Sequence, residues 1–99
     1  MQLLTDELRK QLPPLGATEK DADPTAIVKF FLASGSWTWW ATEFDGVDTF
    51  FGAVNGEVFE IGYFSLSELK EIRGPFGLSI ERDLYFKPTP LSQIRREHA

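Results

Sequence analysis

Ninety-nine residues without an internal repeat are enough for one hydrophobic core but not two, and 42% hydrophobic with 25% charged residues is the balance of a folded chain rather than a disordered one. The chain is acidic, with a formal net charge of −5. It has no cysteine, which excludes disulfides, thiolate nucleophiles and zinc–thiolate sites.

In chain order, Met1 to Gln11 lacks the basic-then-apolar layout of a signal peptide, and no run approaches the length that crosses a bilayer, so a cytoplasmic protein with no membrane contact is expected. A short helix opens the chain: Thr5 is its N-cap, Asp6 and Glu7 favour the helix dipole, and Pro13-Pro14 stops it. Leu4, Leu8, Leu12 and Leu15 form its apolar stripe. Gly16 to Pro24 is polar and acidic and reads as an exposed loop before a first strand, Ala26 to Ala33.

The best-signalled stretch runs from Trp37 to Phe64, three alternating apolar segments joined by two glycine-containing turns. Asn55-Gly56 reads as a two-residue type I′ hairpin loop, which sets Val54 opposite Glu57, Gly52 opposite Phe59 and Phe50 opposite Ile61. The earlier turn, Asp45-Gly46 or the longer Asp45 to Asp48, keeps Trp37, Trp39 and Ala41 on the side of Phe50, Gly52 and Val54 with either loop. Face one then reads Val28, Phe30, Leu32, Trp37, Trp39, Ala41, Phe50, Val54, Phe59, Ile61 and Tyr63, with Gly52 leaving room for the Phe59 ring. Face two carries Lys29, Phe31, Thr38, Trp40, Thr42, Phe44, Thr49, Phe51, Ala53, Val58 and Glu60. The readings of face two stay open: the N- or C-terminal segment covers its rings, or they are ordinary half-buried strand residues, or they form an exposed aromatic contact patch.

Beyond the sheet, Ser65-Leu66-Ser67-Glu68 matches a capping box, Leu66, Leu69 and Ile72 share a side, and Gly74-Pro75 ends the helix with a left-handed glycine. Phe76 to Phe86 is a long connection with room for a short strand around Leu84 to Phe86. Thr89-Pro90 starts a last helix as N-cap and first residue, sending Leu91 and Ile94 inward and Arg95 and Arg96 outward. The expected class is α+β: a four-stranded antiparallel meander with one N-terminal and two C-terminal helices packed mainly on one face.

Charge is uneven. Between Phe30 and Leu69 there is no lysine or arginine, against Glu43, Asp45, Asp48, Glu57, Glu60 and Glu68. Single-stranded nucleic-acid platforms pair stacking rings with a basic groove, and here Lys29 is the one cation expected on the sheet, so nucleic acid is not expected there. A basic protein surface suits it better, the protein acting as monomer or homodimer. Glu43, Asp45 and Asp48 crowd one turn and could hold a divalent cation, although the spacing is not that of an EF-hand and hairpin turns commonly carry such residues. The single histidine, His98, lies at a chain end and no phosphate-cradling glycine loop is present. No catalytic set, metal or cofactor is assigned.

The segments MQLLTDELRKQLPPL, WTWWATEFDGVDTFFGAV, IGYFSLSELKEIRGPFGLSIERDLYF and KPTPLSQIR together resemble a family of small bacterial proteins, domain of unknown function 2958. The resemblance implies a compact single-domain protein of a kind often encoded on plasmids and integrative mobile elements near DNA-transfer and maintenance genes, and it supplies no catalytic residues. Two function classes follow. One is a non-enzymatic binding protein of mobile elements, in counter-defence or element maintenance, contacting a basic partner through Trp40, Phe44, Phe51 and Glu60 with Glu43, Asp45 and Asp48. The other is a carboxylate-based enzyme or small-ligand or metal-binding domain centred on the Glu43 to Asp48 turn.

Overall fold

The computed structural model describes residues 1–98. Helix α1 spans Asp6–Gln11, and strands β1 to β5 span Thr25–Ala26, Val28–Leu32, Thr38–Phe44, Thr49–Asn55 and Phe59–Ser65. Helix α2 spans Leu66–Glu71, β6 Ile80–Arg82, β7 Thr89–Pro90 and α3 Leu91–His98. The class is α+β with antiparallel pairing throughout, but the main sheet has five strands in the order β5-β4-β3-β2-β6, and β1 pairs with β7 in a separate two-stranded ladder.

The fifth strand is a correction to the four-stranded expectation. Ile80 pairs with Leu32 and its side chain is buried on face one. The strand is held by its neighbours: the Asp83 amide donates to the Lys29 carbonyl at 2.9 Å, and the Arg82 guanidinium donates to the carbonyls of Gln2 and Leu3. The expected strand at Leu84 to Phe86 is instead a turn with Leu84 and Tyr85 exposed.

On face one, Val28, Phe30, Leu32, Trp39, Ala41, Phe50 and Phe64 join Leu3, Leu4 and Leu12 from the N-terminal segment and Leu66 and Leu69 from α2 in one buried cluster. Phe50 is its centre, with the Phe44, Phe64 and Phe30 ring centroids at 4.5, 5.1 and 5.5 Å. Leu15 lies outside the stripe expected for it and is exposed. Trp37 stacks on Trp39 and its ring lies where a side chain on Gly56 would have to be.

Two irregularities revise the expected faces. Between Ala41 and Glu43 the β3–β4 register shifts by one residue. A bulge of this kind reverses the alternation beyond it, so Phe44, expected on face two, stacks on Phe50 in the face-one core, while Glu43 pairs with Phe51. The Thr42 hydroxyl, fully buried, donates to the Phe51 carbonyl at 3.0 Å. Gly52 serves this bulge rather than the Phe59 ring: a Cβ there would fall 1.8 Å from the Trp40 carbonyl oxygen.

The second concerns β5. Asn55 pairs with Phe59, leaving a three-residue loop, so Gly52 faces Gly62, Phe51 faces Tyr63 and Phe50 faces Phe64. Relative to the two-residue loop the offset is odd, so the whole strand turns over. Phe59, Ile61 and Tyr63 lie on face two, Glu60 lies on face one, and Val58 is an exposed loop residue.

The helices do not all pack on one face. Leu91 and Ile94 of α3 bury against Trp40, Ala53 and Ala26, with Phe59 and Phe86 alongside, forming a second cluster on face two. The α3 N-terminus is not capped by Thr89, whose hydroxyl donates to the Lys87 carbonyl, but by Asp23 through Ser92. At α2 the Ser65 cap is made as expected, the Glu68 amide donating to Ser65 Oγ at 3.0 Å. Gly74 is extended (φ −92°, ψ −165°), not left-handed; it lies two residues past the helix cap, against the Leu32 side chain.

Candidate binding surface

The carboxylates of the acidic turn are occupied by the protein's own amides and hydroxyls. Asp45 Oδ1 accepts from the amides of Val47, Asp48 and Thr49 at 2.8, 2.8 and 3.0 Å, an arrangement that builds the β3–β4 turn and holds the carboxyl below the ordinary aspartate value. Asp48 points the other way, its two oxygens accepting the Ser67 amide and hydroxyl at the start of α2. Glu43 is 3% exposed and accepts the amides of Gly16 and Thr18 at 2.8 Å each, together with the Thr18 hydroxyl. Burial pushes the Glu43 carboxyl up, and the Thr18 and Gly16 hydrogen bonds outweigh it, leaving a net lowering. The three side chains thus pin three different segments, and among the described residues no group of three or more His, Asp or Glu is placed to hold a metal ion.

The aromatic candidates separate as well. Trp40 is 1% exposed beneath α3, and Phe44 is buried in the face-one core. Phe51 is half-buried and meets Tyr63 edge-on at 4.9 Å. Glu60 is exposed on face one, beside the acidic β4–β5 loop that carries Glu57.

What remains uncovered on face two is a surface the two-residue hairpin register hides. Helix α3 stops short of the outer part of β5, where Ile61 is 41% and Tyr63 69% exposed. Phe51, Ile61 and Leu91 floor a groove of about 490 Å³ between β5 and α3, with Arg95, Arg96 and Asp23 on its rim. A second hollow of about 340 Å³ continues from Phe51 and Tyr63 to the Gly16–Asp21 loop, lined by Glu19, Asp21 and Glu43. The Arg95 guanidinium lies 5.2 Å from the Phe59 ring centroid, where it closes the α3 side of the surface. The alternation of Phe59, Ile61 and Tyr63 signals a half-buried face, but the face depends on loop length.

A small α+β fold with acidic hairpin turns, no assembled carboxylate site among the described residues and an apolar groove at the edge of its sheet is the class of protein that geometry defines. The family model for protein of unknown function (DUF2958) matches residues 3–97, and the chain belongs to that family. No curated protein and no solved structure matches it. No helix among the described residues is long and apolar enough to cross a membrane.

Proposed function

We propose that this protein is a non-enzymatic binding protein that contacts a basic protein surface through the outer part of face two and the acidic β4–β5 hairpin. The observation that carries the reading is the pair of large apolar side chains, Ile61 and Tyr63, left 41% and 69% exposed beside half-buried Phe51. Contiguous exposed apolar area on a small protein marks contact sites. The stretch from Phe30 to Leu69 has no cation, so the β4–β5 hairpin side of the surface, with Glu57 and Glu60, supports a partner of opposite sign, while the α3 side carries Arg95 and Arg96 and offers apolar contact. The internal use of Glu43, Asp45 and Asp48 supports giving them a structural part. The setting we propose, mobile genetic elements in counter-defence or element maintenance, rests on the family resemblance.

The test is capture of a partner from a host extract on the immobilised protein, followed by kinetics with that purified partner. Tyr63→Ala should raise the dissociation rate with little change in salt dependence, because it removes buried contact area. Glu60→Lys should slow association most at low ionic strength. Capture that neither variant weakens, or that persists unchanged in high salt, would sink the reading.

A further inference from the structure

Strand β5 is the outer edge of the main sheet, paired with β4 on one side only. The direction of its backbone groups follows from the ladder. The Leu66 amide donates to the Asp48 carbonyl, which continues the β4–β5 register, so the hydrogen-bonded pairs run 66/48, 64/50, 62/52 and 60/54. The N–H and C=O groups of Ile61 and Tyr63 therefore point away from the sheet. Natural edge strands are commonly blunted by lysine, proline, a bulge or a covering element. β5 has no lysine, no proline and an unbroken register over seven residues.

We infer that β5 accepts an extended segment of a basic partner as an added strand, a deepening that rests on the binding function proposed above. Side chains of an added strand alternate between the faces. On face two they would lie beside Ile61, Tyr63 and the Phe51 groove, which calls for apolar residues. On face one they would meet Glu60 and approach Glu57, which calls for lysine or arginine. The occupant is accordingly a strand alternating apolar and basic residues. A second copy fits poorly, because antiparallel β5–β5 pairing about an axis normal to the sheet keeps face one beside face one. It would gather the Glu57 and Glu60 carboxylates of both copies with no cation on either strand.

The probe is a labelled nine-residue peptide alternating valine and lysine, with a valine–glutamate peptide as control, followed by fluorescence anisotropy. Tyr63→Pro removes an outward N–H and leaves the β4 ladder bonds in place, as proline at an outward edge position does, whereas Tyr63→Ala removes only the ring. The lysine peptide should bind, the glutamate peptide should not, and Tyr63→Pro should weaken binding at least tenfold while circular dichroism stays that of the wild type. In the wild-type protein the Ile61 and Tyr63 amides should gain hydrogen-exchange protection on binding, a readout that survives misfolding of the proline variant. Binding without that protection, or undiminished by Tyr63→Pro in a folded protein, overturns strand addition but leaves side-chain contact intact. Self-association in sedimentation that Tyr63→Pro abolishes overturns the choice of occupant. Absence of binding to the peptide and to every basic protein overturns both readings.

Discussion

Asp23 and Ser92 stand 69 residues apart in the chain, and the Asp23 carboxylate accepts both the amide and the hydroxyl of Ser92, at 2.9 and 2.6 Å. The Ser92 hydroxyl, then its amide, hold the Asp23 carboxyl below the ordinary aspartate value. The same device recurs at α2, where Asp48 accepts the amide and hydroxyl of Ser67 at 2.8 Å each. In both cases the preceding leucine amide donates to a carbonyl of the same remote segment: Leu66 to Asp48 and Leu91 to Pro24. Each helix N-terminus is thus closed by a loop on the far side of the sequence, which supplies a negative charge to the dipole and acceptors for its free amides.

Loosening the Asp23–Ser92 staple should uncover Trp40. Ser92→Ala removes the hydroxyl donor and Asp23→Ala removes both acceptors, so the aspartate variant should show the larger effect. The expected outcome is a red-shifted tryptophan emission with increased acrylamide quenching, while the face-one core keeps the protein folded. Quenching identical to wild type in Asp23→Ala would mean that α3 is held without the staple, by the burial of Leu91 and Ile94 and the bond from the Leu91 amide to the Pro24 carbonyl.

Glu43 fastens the Gly16–Asp21 segment to the bulge in β3. Replacement by alanine leaves the Gly16 and Thr18 amides without that charged acceptor, and hydrogen bonds to charged groups contribute about 1.5–3 kcal/mol. Urea unfolding of Glu43→Ala should show a loss of that order. Limited proteolysis should then cut between Gly16 and Asp21, which the intact protein should resist.

The pH dependence follows from Asp23, Glu43 and Asp45, all lowered from ordinary values of 3.8 for aspartate and 4.5 for glutamate. A folded value below the unfolded one means that the unfolded chain binds more protons in this window, so stability rises with pH. The contribution is fully present above the ordinary values and is lost as pH falls through the lowered ones. The urea midpoint should therefore be level near neutrality and fall once the pH drops below the ordinary carboxylate range. Glu43→Gln should be less stable near neutrality and show a shallower fall, which a pH series of unfolding curves checks.

Gly52 and Gly62 face one another across β4 and β5, yet alanine should act in opposite directions at the two. At Gly52 the new Cβ meets the Trp40 carbonyl oxygen at 1.8 Å, so the bulge must rearrange, and the cost should reach or exceed the ~1–3 kcal/mol of overpacking. At Gly62 there is open space, and lowering the entropy of the unfolded chain should stabilise by about 0.4–1 kcal/mol. Thermal melts of the two single variants give the comparison directly.

The N-caps of the first two helices and the inward residues of the last two were legible in the sequence because their signals are local, whereas the Thr89 cap and the left-handed Gly74 were not formed. Thr5 accepts the Leu8 amide, Ser65 accepts the Glu68 amide, and Leu66, Leu69, Leu91 and Ile94 are buried as their spacing requires. The facing of β2 against β3 and of early β3 against β4 also followed from alternation, pairing Phe30 with Trp39 and Trp39 with Val54. What alternation could not reveal was a change of phase. A bulge at Thr42 leaves no mark in a run such as Trp-Ala-Thr-Glu-Phe, since what demands it is the stacking of Phe44 on Phe50 and the reach of Glu43 to Gly16.

Asn55-Gly56 departs from its local turn preference for a related reason. Glycine is needed at 56 because the Trp37 ring occupies the space of a side chain, not because a two-residue turn closes there. The longer loop places Phe64 on Phe50 and starts α2 beside Asp48, two tertiary gains that override the local turn preference. The two-residue register therefore sends Ile61 and Tyr63 to the core, whereas the three-residue loop leaves both exposed on face two. Of the contact residues expected from the sequence, Phe51 lines the groove and Glu60 lies on the opposite side of the same edge. β6 escaped because a three-residue strand with one apolar side chain carries no periodicity.

The two remote serine staples also bear on the order in which the molecule assembles. Helices of six, six and eight residues are too short to persist in an isolated chain, so each forms only when its docking surface exists. For α2 that surface comes from the adjoining hairpin, with Asp48 only 19 residues from Ser67. For α3 it requires the finished sheet, since Trp40 and Ala53 must already be side by side and Asp23 in place. Closure of α3 is therefore expected after the folding barrier, and Asp23 and Ser92 should give φ-values near zero. Substitutions there should accelerate unfolding while leaving the refolding rate unchanged, so that this one helix governs how long a folded molecule lasts rather than how fast it is made.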